Sequence, residues 1–219
     1  MLVALLLVFL ARQVSTAPTA PPPGPIPGNC AEPARDNAGR LGCYLAAELT
    51  IEKPPPLIRW HLYRFPDEKA AREASARHAA SVVTYAHGGV WLHVLDGAER
   101  IDVPGAESVA VIGPMQLTAD GPVKVRFLES IFPAGMTTRV HSHSGPEGFY
   151  VLDGVQCMET PEGRTLIGAG KSFHLPARMK HLQSSAKGRR NMAVVFQLPR
   201  EPWMTLDSEW KPAGLCAAE

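Results

Sequence analysis

From Ser81 to Gln197 short apolar runs recur, each cut off by a turn signal, and this rhythm limits what the chain can fold into. The runs are Ser81–Tyr85, Val90–Leu95, Ser108–Ile112, Val123–Phe132, Thr137–His141, Gly148–Leu152, Val155–Thr160, Ser172–Leu175, His181–Ser184 and Asn191–Gln197. Between them stand His87-Gly88-Gly89, Asp96-Gly97, Ala119-Asp120-Gly121, Asp153-Gly154, Pro161-Glu162-Gly163 and Ala186-Lys187-Gly188. Many short strands at this spacing predict an antiparallel sandwich or barrel over residues 81–200. The 21 Pro and 19 Gly suit such a turn-rich chain better than a helical bundle.

Upstream the pattern is different. Pro66-Asp67-Glu68 opens a stretch rich in Ala, Glu, Lys and Arg that no Gly or Pro interrupts. With Asp67 as N-cap, it predicts one helix over about 67–78. Residues 29–66 read as an irregular arm with short extended pieces, including Leu57–Tyr63, so that 29–80 forms an N-terminal arm carrying the helix. Pro18 to Gly28 is a Pro-rich, semi-rigid linker. Leu2–Leu10 is an unbroken apolar run, too short to span a bilayer and about right for the core of a signal peptide. Residues 1–17 are therefore expected to be a signal peptide or an apolar anchor, and the protein to be exported, either periplasmic or secreted. Residues 201–219 read as a surface-hugging tail.

The 22 Lys and Arg nearly balance 21 Asp and Glu, with no basic cluster, which argues against a nucleic-acid partner. Any membrane contact is expected only through an uncleaved N-terminus. The four cysteines allow three pairings. Cys30 and Cys43 bracket a short polar loop, which favours a local bridge. Cys157, within an apolar run, reads as a buried free thiol that packs like a small hydrophobe, and Cys216 falls in the tail.

One cluster carries chemistry. Alternate residues of a strand share a face, so His141 and His143 point the same way about 7 Å apart. Glu147 follows after the turn Ser144-Gly145-Pro146, and His181 opens another strand. Imidazoles with one carboxylate suit Zn, Mn, Fe, Ni or Cu better than Ca or Mg. His61, His78, His87 and His93 read as structural histidines. His174 also reads as structural, although its place near His181 leaves a pocket position open. By strand parity Arg139 faces the same interior as His141, or else lies at the barrel mouth. Gln183, Phe149 and Val151 are placed along the pocket by the same count.

Gly135-x5-His141-x-His143-x3-Glu147-x6-Gly154, followed by Gly170-x5-Pro176-x-Arg178-x2-His181-x3-Ser185, resembles the paired motifs of the cupin superfamily. Two positions depart from the family's usual form: Arg178 stands in place of a glycine and Ser185 in place of an asparagine. The resemblance covers roughly residues 107–198. It implies an all-β, double-stranded β-helix (a jelly roll) holding one divalent metal ion on His141, His143, Glu147 and His181. It also implies metal-dependent chemistry of dioxygenase, decarboxylase, lyase or isomerase type on a small organic acid or enol-like substrate. Glu147 and Arg139 are the catalytic candidates, and Arg139, Phe149 and Gln183 the candidates for the substrate pocket. A non-catalytic ligand-binding or sensing module is the alternative, and such barrels often form homodimers.

Overall fold

A computed structural model describes residues 26–34 and 39–217, so the expected signal segment and most of the Pro-rich linker lie outside the described residues. In chain order the elements are β1 (Gly42–Ile51), β2 (Leu57–Phe65), α1 (Glu68–Ser75), β3 (Ser81–Ala86), β4 (Gly89–Asp96), β5 (Glu107–Gln116), β6 (Val123–Phe132) and β7 (Met136–Thr137). They continue with β8 (His141–Ser142), β9 (Glu147–Thr160), β10 (Gly163–Gly168), β11 (Ser172–Leu175), β12 (Leu182–Ser185), β13 (Arg189–Gln197) and β14 (Thr205–Leu206). One sheet has eight strands in the order β1-β6-β13-β9-β12-β7, with β10 and β11 also on β9; a second has the order β3-β4-β2-β5. Among the described residues the chain is all-β with one helix, as expected, and its strands curl into a double-stranded β-helix.

Both faces of the eight-stranded sheet are buried around its centre. Val123, Val125 and Phe127 of β6 and Met192, Val194 and Phe196 of β13 face one core, shared with Trp60, Leu62 and Ile112 of the second sheet. Leu128, Ala193 and Val195 face the opposite core, with Phe149 and Val151 of β9. A strand covered on both sides can be apolar at nearly every position, which is why β6 and β13 read as continuous runs. The helix begins where Asp67 accepts a hydrogen bond from the Ala70 N–H at 2.8 Å. Its Ala71 and Ala74 close a third cluster over Tyr63, Phe65 and Leu92.

Four sequence expectations need correction. Residues 29–66 are not an irregular arm: β1 pairs with β6 along its length and β2 is an inner strand of the four-stranded sheet, so no boundary separates them from the barrel. Asp153-Gly154 does not end a strand. β9 runs through it, pairing with β13 and β11 before the bend and with β10 and β12 after it. β10 escaped notice because it opens on glycine and buries only Ile167. Cys157 is not a free thiol; it is bonded to Cys216, alongside the expected Cys30–Cys43 bridge.

Candidate metal centre

His141 and His181 face each other across an isolated antiparallel bridge, with His141 N–H to His181 O at 3.0 Å and the reverse bond at 2.9 Å. Their ring centroids are 4.2 Å apart. His143 lies just beyond β8, and Gly145 and Pro146 dock on Phe196 through backbone bonds of 3.0 Å each, which returns the chain as β9 with Glu147 at its first position. One ring nitrogen from each of His141, His143 and His181 falls within 4.8 Å of the others. Glu147 Oε2 lies 3.4 Å from His143 Nε2 and 3.2 Å from His181 Nε2. All four side chains are buried.

The outward-facing nitrogens explain the orientation. Nδ1–H of His141 donates to Arg139 O at 2.8 Å, that of His143 to Trp203 O at 2.6 Å, and that of His181 to Met179 O at 3.0 Å. A carbonyl can only accept, so each bond fixes the proton on Nδ1 and turns the Nε2 lone pair towards the centre. Fixed tautomers of this kind are the usual support of metal-ligating histidines. Two atoms at the centre, Glu147 Oε2 and His181 Nε2, are buried with no hydrogen-bond partner. Burial holds the imidazoles neutral, taking His141 down to about 3 and His143 and His181 to about 4. It pushes the Glu147 carboxyl up to about 7, against the pull of His143 and Arg189. Three neutral lone pairs and one carboxylate converging on a dry point are a donor set that fits a divalent cation.

A cavity of about 260 Å³ opens from His141, His143 and Glu147 to the surface. Phe149 lines it, and Val151 packs in the core behind it. Of the two placements open to Arg139, the structure has the mouth: the side chain is exposed, because the strand breaks between Thr137 and His141 and two-residue parity fails there. Gln183 lines the cavity, but its Oε1 already accepts a bond from Arg189 at 3.0 Å. His174 is exposed on β11 and lines no part of the cavity. His61, His87 and His93 bond to Ala98 O, Asn191 O and Thr84 respectively, away from the centre.

Two functional parts were not anticipated. Arg189 is fully buried; it donates to Ser130 Oγ at 2.6 Å as well as to Gln183, and lies 3.9 Å over the Phe132 ring. Burial pulls it down to about 9, which leaves it a cation at neutral pH. Its parity with Ala193 and Val195 on β13 was a usable signal. The second part is the tail. Trp203 stacks on His143 with centroids 5.5 Å apart, β14 pairs with β8, and Trp203, Met204 and Leu206 form a wall of the cavity. No spacing rule in the sequence points there.

No family model matches the sequence, and no curated protein matches it. Among solved structures, the chain is similar to a cupin-2 domain protein from Shewanella frigidimarina, with 17% identity, a TM-score of 0.30, and coverage of 32% of this chain and 68% of that one. A DMSP lyase from Ruegeria pomeroyi is matched at 17% identity and a TM-score of 0.36, over 40% of this chain and 45% of the lyase. A cupin domain from Bordetella pertussis is matched at 26% identity and a TM-score of 0.29, over 33% and 81% of the two chains. This chain thus spans less than half of the lyase. At such TM-scores these likenesses carry no argument about function, which must come from the site.

Proposed function

We propose that this chain, a cupin in fold and in its paired motifs, binds one divalent metal ion through His141, His143, Glu147 and His181 and uses it on a small organic acid or enol-like molecule. The observation that carries this reading is the set of three Nδ1–H bonds to backbone carbonyls, which leaves three Nε2 lone pairs beside a carboxylate oxygen with no partner. A bound ion would supply Lewis-acid or redox chemistry, and the open side of the centre, where the cavity begins, gives a substrate access to it.

The chain's own groups have separate roles. The histidines, kept neutral by burial, hold the ion. Glu147 is a ligand that can also serve as a base: released from the ion, its carboxylate can take a proton at Oε2 from a substrate held there. Arg139 at the mouth attracts an anionic substrate group. Phe149 and the tail residues keep water from one side. A metal-dependent ligand-binding module without turnover is the second reading, favoured by the apolar lining of the cavity. Export is supported by the two disulfides, which persist in oxidising compartments. Mass spectrometry of the mature N-terminus tests it.

Elemental analysis of the purified chain is expected to find about one divalent ion per chain. His141→Ala and His181→Ala are each expected to lose it while keeping the β-sheet circular-dichroism spectrum. Full metal retention by either variant contradicts the ligand assignment. Oxygen-consumption and product screens on small acids and enols then separate the enzyme from the binding module.

A further inference from the structure

The cavity is built asymmetrically, and this bears on what enters it. Beyond the metal-ligand candidates its wall is mostly apolar, with Leu128, Phe132, Phe149, Ala193, Trp203 and Leu206 among its residues. Arg139, the one Lys or Arg among the described lining residues, is exposed at the rim.

Two polar groups along the wall, Thr138 and Gln183, are biased in one direction. Thr138 Oγ1 accepts from Gln183 N–H at 2.9 Å, which leaves its own O–H to donate. Gln183 Oε1 is taken by Arg189, so Gln183 offers a ligand N–H donors. Behind Gln183 lies the buried Arg189 cation. The wall therefore asks for acceptor oxygens near the metal end and apolar surface elsewhere. The charge balance favours an anion: a divalent ion with one carboxylate and three neutral imidazoles carries one net positive charge, and Arg189 behind Gln183 and Arg139 at the rim add to it. A compact dicarboxylate held at the metal would leave that apolar wall uncovered, and Arg139 at the exposed rim lies away from it.

We infer that the ligand of this site is an anionic chelator with two neighbouring oxygen donors on an apolar body of aromatic size, not a small dicarboxylate. The inference rests on the metal-binding reading above and narrows its substrate class to the enol-like side. The body lies against Phe149, Trp203 and Leu206, while Thr138 and Gln183 donate to the oxygens.

The test uses the full-length, oxidised chain loaded with Co(II), with cobalt content measured first. Benzohydroxamate, acetohydroxamate and oxalate are then titrated while the visible cobalt absorption is followed. Burial of the phenyl ring predicts binding of benzohydroxamate roughly tenfold or more tighter than that of acetohydroxamate, with oxalate weaker than benzohydroxamate. Leu206→Asn, at a partly exposed wall position, is expected to narrow the preference between the hydroxamates with cobalt content unchanged. Equal affinity for the two hydroxamates, tightest binding by oxalate, or an unchanged preference in Leu206→Asn overturns the inference while the metal site stands. Failure to hold cobalt at all overturns both.

Discussion

Four of the five buried histidines among the described residues differ in what their two ring nitrogens do. In His141, His143 and His181 one nitrogen donates to a backbone carbonyl, and Nε2 is left towards the others. In His93 both are used: Nδ1 accepts from Trp60 Nε1–H at 3.1 Å, and Nε2 donates to Thr84 Oγ1 at 2.8 Å. His93 is therefore a packing residue, and burial takes it from 6.5 down to about 3. The sign of its effect on stability follows. Below about 6.5 the unfolded histidine takes a proton while the native one stays neutral to about 3, so its contribution is complete above 6.5 and is lost as pH falls towards 3. A shift of this size is worth a few kcal/mol, on the order of 1.4 per pH unit. His93→Gln is expected to flatten the fall of Tm between pH 6.5 and 4 without abolishing it, since other buried histidines titrate in the same direction. Thermal unfolding at several pH values checks this. The two departures from the family motif are also explained at this scale. Arg178 adopts the left-handed conformation, φ 62°, in which a glycine is at ease, and its guanidinium grips Glu201 at 2.6 and 2.8 Å. Ser185 closes its own local bond, donating to Val155 O at 2.7 Å.

Two elements set the site. β9 carries Glu147 at one end and Cys157 near the other, and passes its corner at Gly154, where φ is 76° and an added Cβ would lie 2.1 Å from Gly188 O. Gly154→Ala is expected to cost a few kcal/mol, through both the backbone conformation and the clash, measured as a lower midpoint in denaturant. The second element is the C-terminal strap. Its carbonyl at Trp203 fixes the tautomer of His143, its β14 covers β8, and its far end is stapled by Cys157–Cys216 beside the buried Glu159, which accepts from Gly214 N–H at 3.0 Å. A backbone carbonyl cannot be deleted, but its placement can be loosened. The double variant Cys157→Ala, Cys216→Ala is expected to lose about 2–4 kcal/mol of stability. It should also bind metal roughly tenfold or more weakly, as loss of a ligand's orienting partner does. Calorimetric metal titration separates the two effects: unchanged metal affinity in a less stable variant would leave the strap as a fastening without a role at the centre.

Over the whole molecule the two sheets share one core, and this determines what can be cut away. A fragment beginning at Ser81, where the sequence alone placed the start of the barrel, lacks β1 and β2 and with them Trp60, Ile58 and Leu62, all fully buried. Its second sheet would be split, since β2 lies between β4 and β5. The fragment is expected to be insoluble or molten, as judged by solubility and near-ultraviolet circular dichroism, in contrast to the full chain.

The sequence by itself determined the strand-rich class, the helix and its cap, and the four residues that converge at the centre. These are local signals: a two-residue period, an acidic N-cap and a fixed spacing of ring nitrogens and carboxylate along neighbouring strands. Period also tells which side chains share a face, so Phe149 was legible once Glu147 was known to point inward. Tertiary structure alone decided the rest. Whether Asp153-Gly154 turns the chain back or only bends it depends on the strands that flank β9. The partner of Cys157 lies 59 residues away. Arg139 moved to the rim because parity is lost wherever a strand breaks. Trp203 and Arg189 act at the centre because distant segments fold over it, and contacts between segments far apart in the chain leave no periodic trace in either one.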